Sequence, residues 1–185
     1  MPWACGRGCC RSYPSASPGS APRVGRDEIF ALAQRHHQTG ALDEAQRLYE
    51  QLLQADPTDD GALHFLGVLY SQRHQYEPAL QLIQKSLCLK PGESFYQSNT
   101  AKIILDAKHT ALDWQHFVSR ALMLSLDNVD AWIHQGVGRY AAQDFEAAVD
   151  GFSHATVLKP VNPKSLHHLG KSLEQIGRFS LAEKE

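Results

Sequence analysis

The sequence predicts an all-α fold, an α-solenoid of antiparallel helix pairs, and three observations predict it. Pro57 and Pro91 lie 34 residues apart, and Pro160 lies two such steps plus one further on. Small residues keep the same phase: Ala33, Gly67, Ala101, Gly136 and Gly170 take the eighth place of successive repeats, and Ala45, Ala79, Ala148 and Ala182 the twentieth. Bulky residues, Tyr49, Ile83, Val118 and Phe152, take the twenty-fourth. A chain written this way is a stack of like units, and its function is expected in the surface that the stack creates.

Residues 1–25 precede the pattern. They are dense in Gly, Pro, Ser and Arg, lack acids and show no helical period, so a disordered segment that contributes nothing to fold or function is expected. The segment has no apolar core of the length that a secretory signal requires, and its prolines oppose the amphipathic helix of a transit peptide.

The solenoid is expected over residues 26–185. Repeat one covers residues 26–59 and repeat two residues 60–93, each with two helices around a short polar break, at Gln38-Thr39-Gly40 and at Gln72 to Gln75. The apolar spacing of Leu63, Leu66, Gly67 and Tyr70, then of Leu80, Ile83 and Leu87, has the period of a helix face. Gly or Ala on both helices lets the backbones cross closely. Pro57, Pro91 and Pro160 stop the second helices, because proline lacks an N–H and pushes its predecessor out of helical geometry. Asp56-Pro57-Thr58-Asp59-Asp60 supplies polar residues for a turn and a helix start.

Repeat three, residues 94–128, has one extra residue, Thr100 and Trp114 at places otherwise held by Leu and Ala, and no closing Pro. Repeat four, residues 129–162, breaks at Gln143-Asp144 and carries Gln135 and Arg139 where apolar residues are usual. Either repeat is a candidate softer joint. Repeat five, residues 163–185, is expected to turn at Ile176-Gly177 and to be truncated inside its second helix, leaving Leu166, Leu169, Leu173 and Phe179 without cover. The chain is therefore expected to be a fragment of a longer protein.

Composition excludes several classes. Hydrophobic residues are 43% and charged residues 21%, ordinary globular values. No apolar run reaches the roughly 20 residues that span a bilayer, so no membrane partner is expected. All 20 acids but only 14 of the 18 basic residues lie from Asp27 onward, a net of −6, which argues against nucleic acid. Cys5, Cys9 and Cys10 form C-x3-C-C in the amino-terminal segment, without the fourth ligand and fold that a zinc site needs. Cys88 reads as a small, half-buried helical residue. With no disulfide framework, a cytoplasmic location is expected.

Ten histidines invite a metal or catalytic reading. Neighbours on a helix, His36-His37 and His167-His168, point about 100° apart and suit shared ligation poorly. His134 and His168 both take the sixth place of their repeats, and a polar wall is the better reading of them than a metal site. No nucleophile elbow, phosphate loop or HExxH motif occurs, so neither catalysis nor a cofactor is expected.

Leu66-Gly67 with Tyr70, Leu169-Gly170 with Leu173, and Phe145-Ala148-Phe152-Ala155-Pro160 resemble the tetratricopeptide repeat, and the resemblance runs from Arg26 to Glu185. It implies a right-handed superhelix whose first helices line a concave groove, with the second, fifth, sixth, ninth and twelfth places exposed there. The sixth places are Ala31, Phe65, Asn99, His134 and His168, the ninth Gln34, Val68, Lys102, Val137 and Lys171, and the twelfth His37, Ser71, Leu105, Tyr140 and Glu174. Phe65, Asn99, Lys102, His134, Tyr140, His168 and Lys171 are accordingly the candidate groove residues for an extended peptide. The clamp by which some members of the family hold acidic chaperone tails is absent, since Phe30, Gln34 and Phe65 stand at its places.

The stretch from Leu42 to Pro91 is also similar to the repeat arms of bacterial O-linked N-acetylglucosamine transferase-like proteins, although Asn99 alone matches their inner-face asparagine ladder. Two functions follow as expectations. One is a non-catalytic scaffold that binds a protein or peptide segment in the groove; the alternative is the substrate-recruiting arm of such a glycosyltransferase, its catalytic domain lying beyond Glu185. Changing Asn99, His134 and His168 together to Ala is expected to weaken capture with little loss of helicity. The pattern specifies no oligomeric state.

Overall fold

The computed structural model describes residues 23–109 and 112–182, with side chains described over 25–109 and 112–177. The described residues form helices only, in the order α1 (Arg23–Gln38), α2 (Leu42–Ala55), α3 (Asp60–Gln72), α4 (Tyr76–Leu89), α5 (Ser94–Asp106), α6 (Trp114–Leu124), α7 (Val129–Ala141), α8 (Phe145–Leu158) and α9 (Pro163–Ala182). The chain divides into two compact modules, Met1–Gly92 with α1 to α4 and Glu93–Glu185 with α5 to α9. Consecutive helices pack as pairs within each.

The expected irregular segment and its three cysteines lie outside the described residues up to position 22. Arg23–Gly25 depart from that expectation, being the first turn of α1. Pro22 is the last proline before Pro57, so nothing from Arg23 onward interrupts a helix.

The turns inside the repeats share one geometry. Gly40, His74, Lys108 and Gln143, each at the fifteenth place of its repeat, have φ of 81°, 59°, 49° and 62°. The next N–H in each case reaches back to the last turn of the helix: Ala41 to His36 O (2.9 Å), Gln75 to Tyr70 O (2.9 Å), His109 to Ile104 O (3.1 Å), Asp144 to Arg139 O (3.0 Å). This is a left-handed helix stop, which satisfies carbonyls that would otherwise lack partners. Gly177 holds the same place in repeat five, yet α9 runs through it to Ala182, so the expected turn at Ile176-Gly177 is not made. An isolated glycine costs a helix only about 1 kcal/mol and does not stop it without the closing bonds.

In the first module Ala33, Ala45, Tyr49, Leu52, Ala62, Leu66 and Leu69 form a buried core. A Cβ on Gly67 would stand 2.7 Å from Ile83 Cγ1 and 3.1 Å from the Ala79 carbonyl, so α3 and α4 cross where the eighth and twentieth places predict. In the second module Ile133, Ala148, Phe152 and Ala155 are the corresponding core. A Cβ on Gly136 would meet the Phe152 ring at 2.6 Å, and one on Gly151 would meet the Gly136 nitrogen at 2.9 Å. Backbone thus touches backbone at the α7–α8 crossing. Cys88 is half-buried, as its helical position implies.

The extra residue of repeat three lies between α5 and α6, where residues 107–113 replace the three-residue links of the other pairs. Asp113 then caps α6 through the Gln115 N–H at 2.9 Å. Trp114 becomes the first residue of α6, and its indole fills the space beside Gly138 that a side chain there would need. The two unusual polar residues of repeat four are accommodated differently. Arg139 pairs with Asp144 at 3.4 Å, whereas Gln135 Oε1 is buried without a hydrogen-bond partner among the described residues.

Candidate peptide-binding face

The candidate residues lie on the first helices of the repeats, α1 and α3 in one module and α5, α7 and α9 in the other, and each module is a separate site. Neighbouring first helices touch: α3 packs on α1, and α7 on both α5 and α9.

The face of the first module is aromatic. Phe65 is half-buried, stacked on Tyr49 at 6.1 Å with 14° between the planes, and edge-on to Phe30 at 5.6 Å. The Arg26 guanidinium lies 4.6 Å from the centre of the Phe30 ring. His37 Nε2 lies 3.1 Å from Gln72 Oε1 and its Nδ1 lies 3.4 Å from the Tyr49 hydroxyl. Burial lowers the His37 pKa, and the bond to Gln72 only partly opposes it. The ring is held as a neutral donor and acceptor beside an aromatic surface.

The face of the second module is built from imidazole and ammonium groups. His134 was expected to line the groove; its ring is buried, with 8% exposed, and Nδ1 lies 3.0 Å from Ser98 Oγ on α5. Burial, then the charges of Lys102 and Lys164, push its pKa down to about 3. His134 therefore joins α7 to α5 as a neutral side chain, and replacing it removes a packed partner as well as a polar group. His168 is half-buried and stacks on Phe152, 5.2 Å between centres and 14° between planes. Its pKa is lowered by burial and then by His167, Lys171 and Lys164. The two histidines of the sixth place are engaged by different partners.

Lys102 and Lys171 are exposed, and Lys102 forms an ion pair with Asp106 one turn along α5. Tyr140 is half-buried, edge-on to Phe145 at 5.2 Å. Asn99 is half-buried on α5. The structure brings Lys102, His134, His168 and Lys171 into one module and leaves Phe65 in the other. Sequence reasoning missed Ser98, the partner of His134, and Lys164, whose charge reaches both histidines. Lys164 takes the second place of its repeat, and completing the series Asp27, Gly61, Phe95, Asp130, Lys164 would have found it.

The helix pairs and the recurrent small residues at their crossings define a helical repeat protein. Residues 36–102 match the family model described as Tetratricopeptide repeat, and the helices on either side of that stretch are paired in the same way. A solved structure of Pseudomonas aeruginosa pilF is similar with a TM-score of 0.75 at 16% identity, covering 88% of this chain and 73% of that one. An O-GlcNAc transferase of Thermobaculum terrenum is similar with a TM-score of 0.65 at 24% identity, covering 70% of this chain and 25% of that one. The first repeat domain of Spaghetti (RPAP3), solved with the HSP90 peptide SRMEEVD, is similar with a TM-score of 0.60 at 21% identity, over 66% of this chain and 96% of that one. No curated protein sequence matches the chain. No described helix is long and apolar enough to cross a membrane.

Proposed function

We propose that the chain is a non-catalytic interaction scaffold that holds an extended peptide or protein segment on the first-helix faces of its modules. One observation carries this reading. The bulky side chains of the second helices, Tyr49, Ile83 and Phe152, are wholly consumed by packing, whereas Lys102, Tyr140, His168 and Lys171 on the first helices keep accessible surface. Half-buried rings offer platforms for apolar side chains, and amide and ammonium groups beside them offer hydrogen bonds to a peptide backbone. The peptide-bound Spaghetti domain gives the same fold this use in another protein.

An array of immobilised peptides of varied composition, probed with the whole chain, tests the proposal. A subset is expected to bind, and Asn99→Ala, Lys102→Ala and Lys171→Ala together are expected to weaken that subset about tenfold with unchanged helicity. Binding by no peptide, or binding indifferent to the triple change, rejects it.

A second reading, the substrate-recruiting arm of a glycosyltransferase, draws support from the similarity to the repeat region of the Thermobaculum enzyme. Its test is the coding sequence beyond Glu185: a nucleotide-sugar-binding domain there supports it, and a stop after one more helix removes it.

A further inference from the structure

We propose that the face formed by α5, α7 and α9 takes the acidic side chains of an extended peptide, with Lys102, Lys164 and Lys171 supplying the charge; this rests on the peptide-binding reading above and names the class of partner for one module. Lys164 and Lys171 are exposed and form no ion pair among the described residues. Lys102 is tied to Asp106 within its own helix, an exposed pair that an incoming carboxylate can replace.

The same face carries a floor without formal charge, the His134 ring bonded to Ser98 and the His168 ring stacked on Phe152. Lysine charges act on both rings: Lys102 and Lys164 at His134, and Lys171 and Lys164 at His168. The carboxylates on these helices are Asp106, already on Lys102, the exposed Asp130 in the first turn of α7, and Glu174 one turn past Lys171. None of them is among the groups acting on either ring. Positive potential is therefore local to this floor in a chain whose net charge is −2. Clefts of one sign concentrate ligands of the other.

The lysines stand at second and ninth places on α5 and α9 and leave no amide pair around a chain terminus. The face accordingly suits side-chain carboxylates along a strand, and a free carboxyl end is not required.

The experiment uses the full chain and three labelled octapeptides with blocked termini, alternating Ala with Glu, Gln or Lys, followed by fluorescence anisotropy. The Glu peptide is expected to bind at least about tenfold more tightly than the Gln peptide and to weaken between about 50 and 300 mM salt. Lys164→Glu with Lys171→Glu is expected to cost at least about tenfold, while Lys164→Arg with Lys171→Arg retains binding. Lys85→Glu, an exposed change on α4, is expected to leave binding unaltered. Equal binding of the Glu and Gln peptides, no binding of the Glu peptide, or indifference to the charge reversal overturns the inference. If the array yields neutral or basic binders that the triple change weakens, the acidic class alone fails; if it yields none, the peptide-binding reading fails with it.

Discussion

Repeats one and three build the same joint from different chemistry. In the first module Arg26, at the first place of repeat one, grips Asp59 at its last, with Nε to Oδ2 at 2.7 Å and Nη2 to Oδ1 at 2.8 Å. Asp59 also caps α3, accepting the Ala62 N–H at 2.9 Å. In the second module Ser94 and Asn128 hold those places: Asn128 caps α7 through Ala131 N–H at 3.0 Å and donates to Ser94 Oγ at 2.7 Å, which donates to the Ala121 carbonyl at 2.9 Å. One joint is a bidentate ion pair and the other a neutral relay, yet both cap the next helix. The repeat prescribes which places must meet and leaves their charge open. The two candidate faces obey the same rule, aromatic in one module and lysine-rich in the other.

The largest contrast is expected at the caps. Asp59→Ala removes a cap and two charge-assisted bonds and is expected to cost about 3 kcal/mol, reduced from the cost of a fully buried pair because the Arg26 side chain is 40% exposed. Asn128→Ala is expected to cost about 1–2 kcal/mol, and urea unfolding compares them. Equal losses would show that charge adds nothing to the joint. Burial of Asp59 raises its pKa, but the bonds from Arg26 and Ala62 outweigh that and leave it below the usual carboxylate range.

The modules are expected to respond alike to mild acid. Burial pushes His64 in the first and His134 in the second down to about 3. Between that value and about 6.5 the unfolded chain binds protons that the folded chain does not, so stability is full above about pH 6.5 and falls as pH drops. Each histidine is expected to contribute a loss of about 2 kcal/mol between pH 7 and 5. His134→Gln should flatten that slope in unfolding measured against pH; an unchanged slope would place the proton elsewhere.

Within the second module the eighth place separates two roles of glycine. Gly136→Ala is expected to cost about 1–2 kcal/mol, because the fully buried Phe152 ring cannot yield to a new methyl. Gly170 has no described atom within 4 Å of a Cβ, so Gly170→Ala should raise stability by up to about 1 kcal/mol. Thermal unfolding of the two variants checks the pair. The smallest effect is expected at repeat four, where Gln135→Leu removes a buried carbonyl oxygen that lacks a partner and should stabilise by about 1 kcal/mol.

The crossings were legible in the sequence because steric demand selects residue type: Gly67 and Gly136 lie where larger side chains would strike Ile83 and Phe152. The turns were legible only as polar breaks. Their left-handed residue is glycine once, at Gly40, and His74, Lys108 and Gln143 adopt it because the closing bonds repay the strain. The continuity of α9 through Gly177 shows the converse, since a permissive residue does not by itself make a turn. The candidate face was half legible. Place in the repeat located Lys102 and Lys171 on the first helices, but whether a side chain there is open depends on the neighbouring helix. Ser98 of α5 closes over His134, and no periodicity of α7 alone could reveal it.

On the proposed function the first helices carry the binding chemistry. Backbone amide shifts of the isotopically labelled chain, followed as the Glu-Ala octapeptide is added, are the test. Perturbations centred on Lys102, Lys164, His168 and Lys171 are expected. The second module also exposes an apolar edge, Met123 in the last turn of α6 with Leu126 just past it and Val157 in the last turn of α8 with Val161 just past it, at 72–86% exposure. Shifts confined to that edge, with α5, α7 and α9 undisturbed, would contradict it.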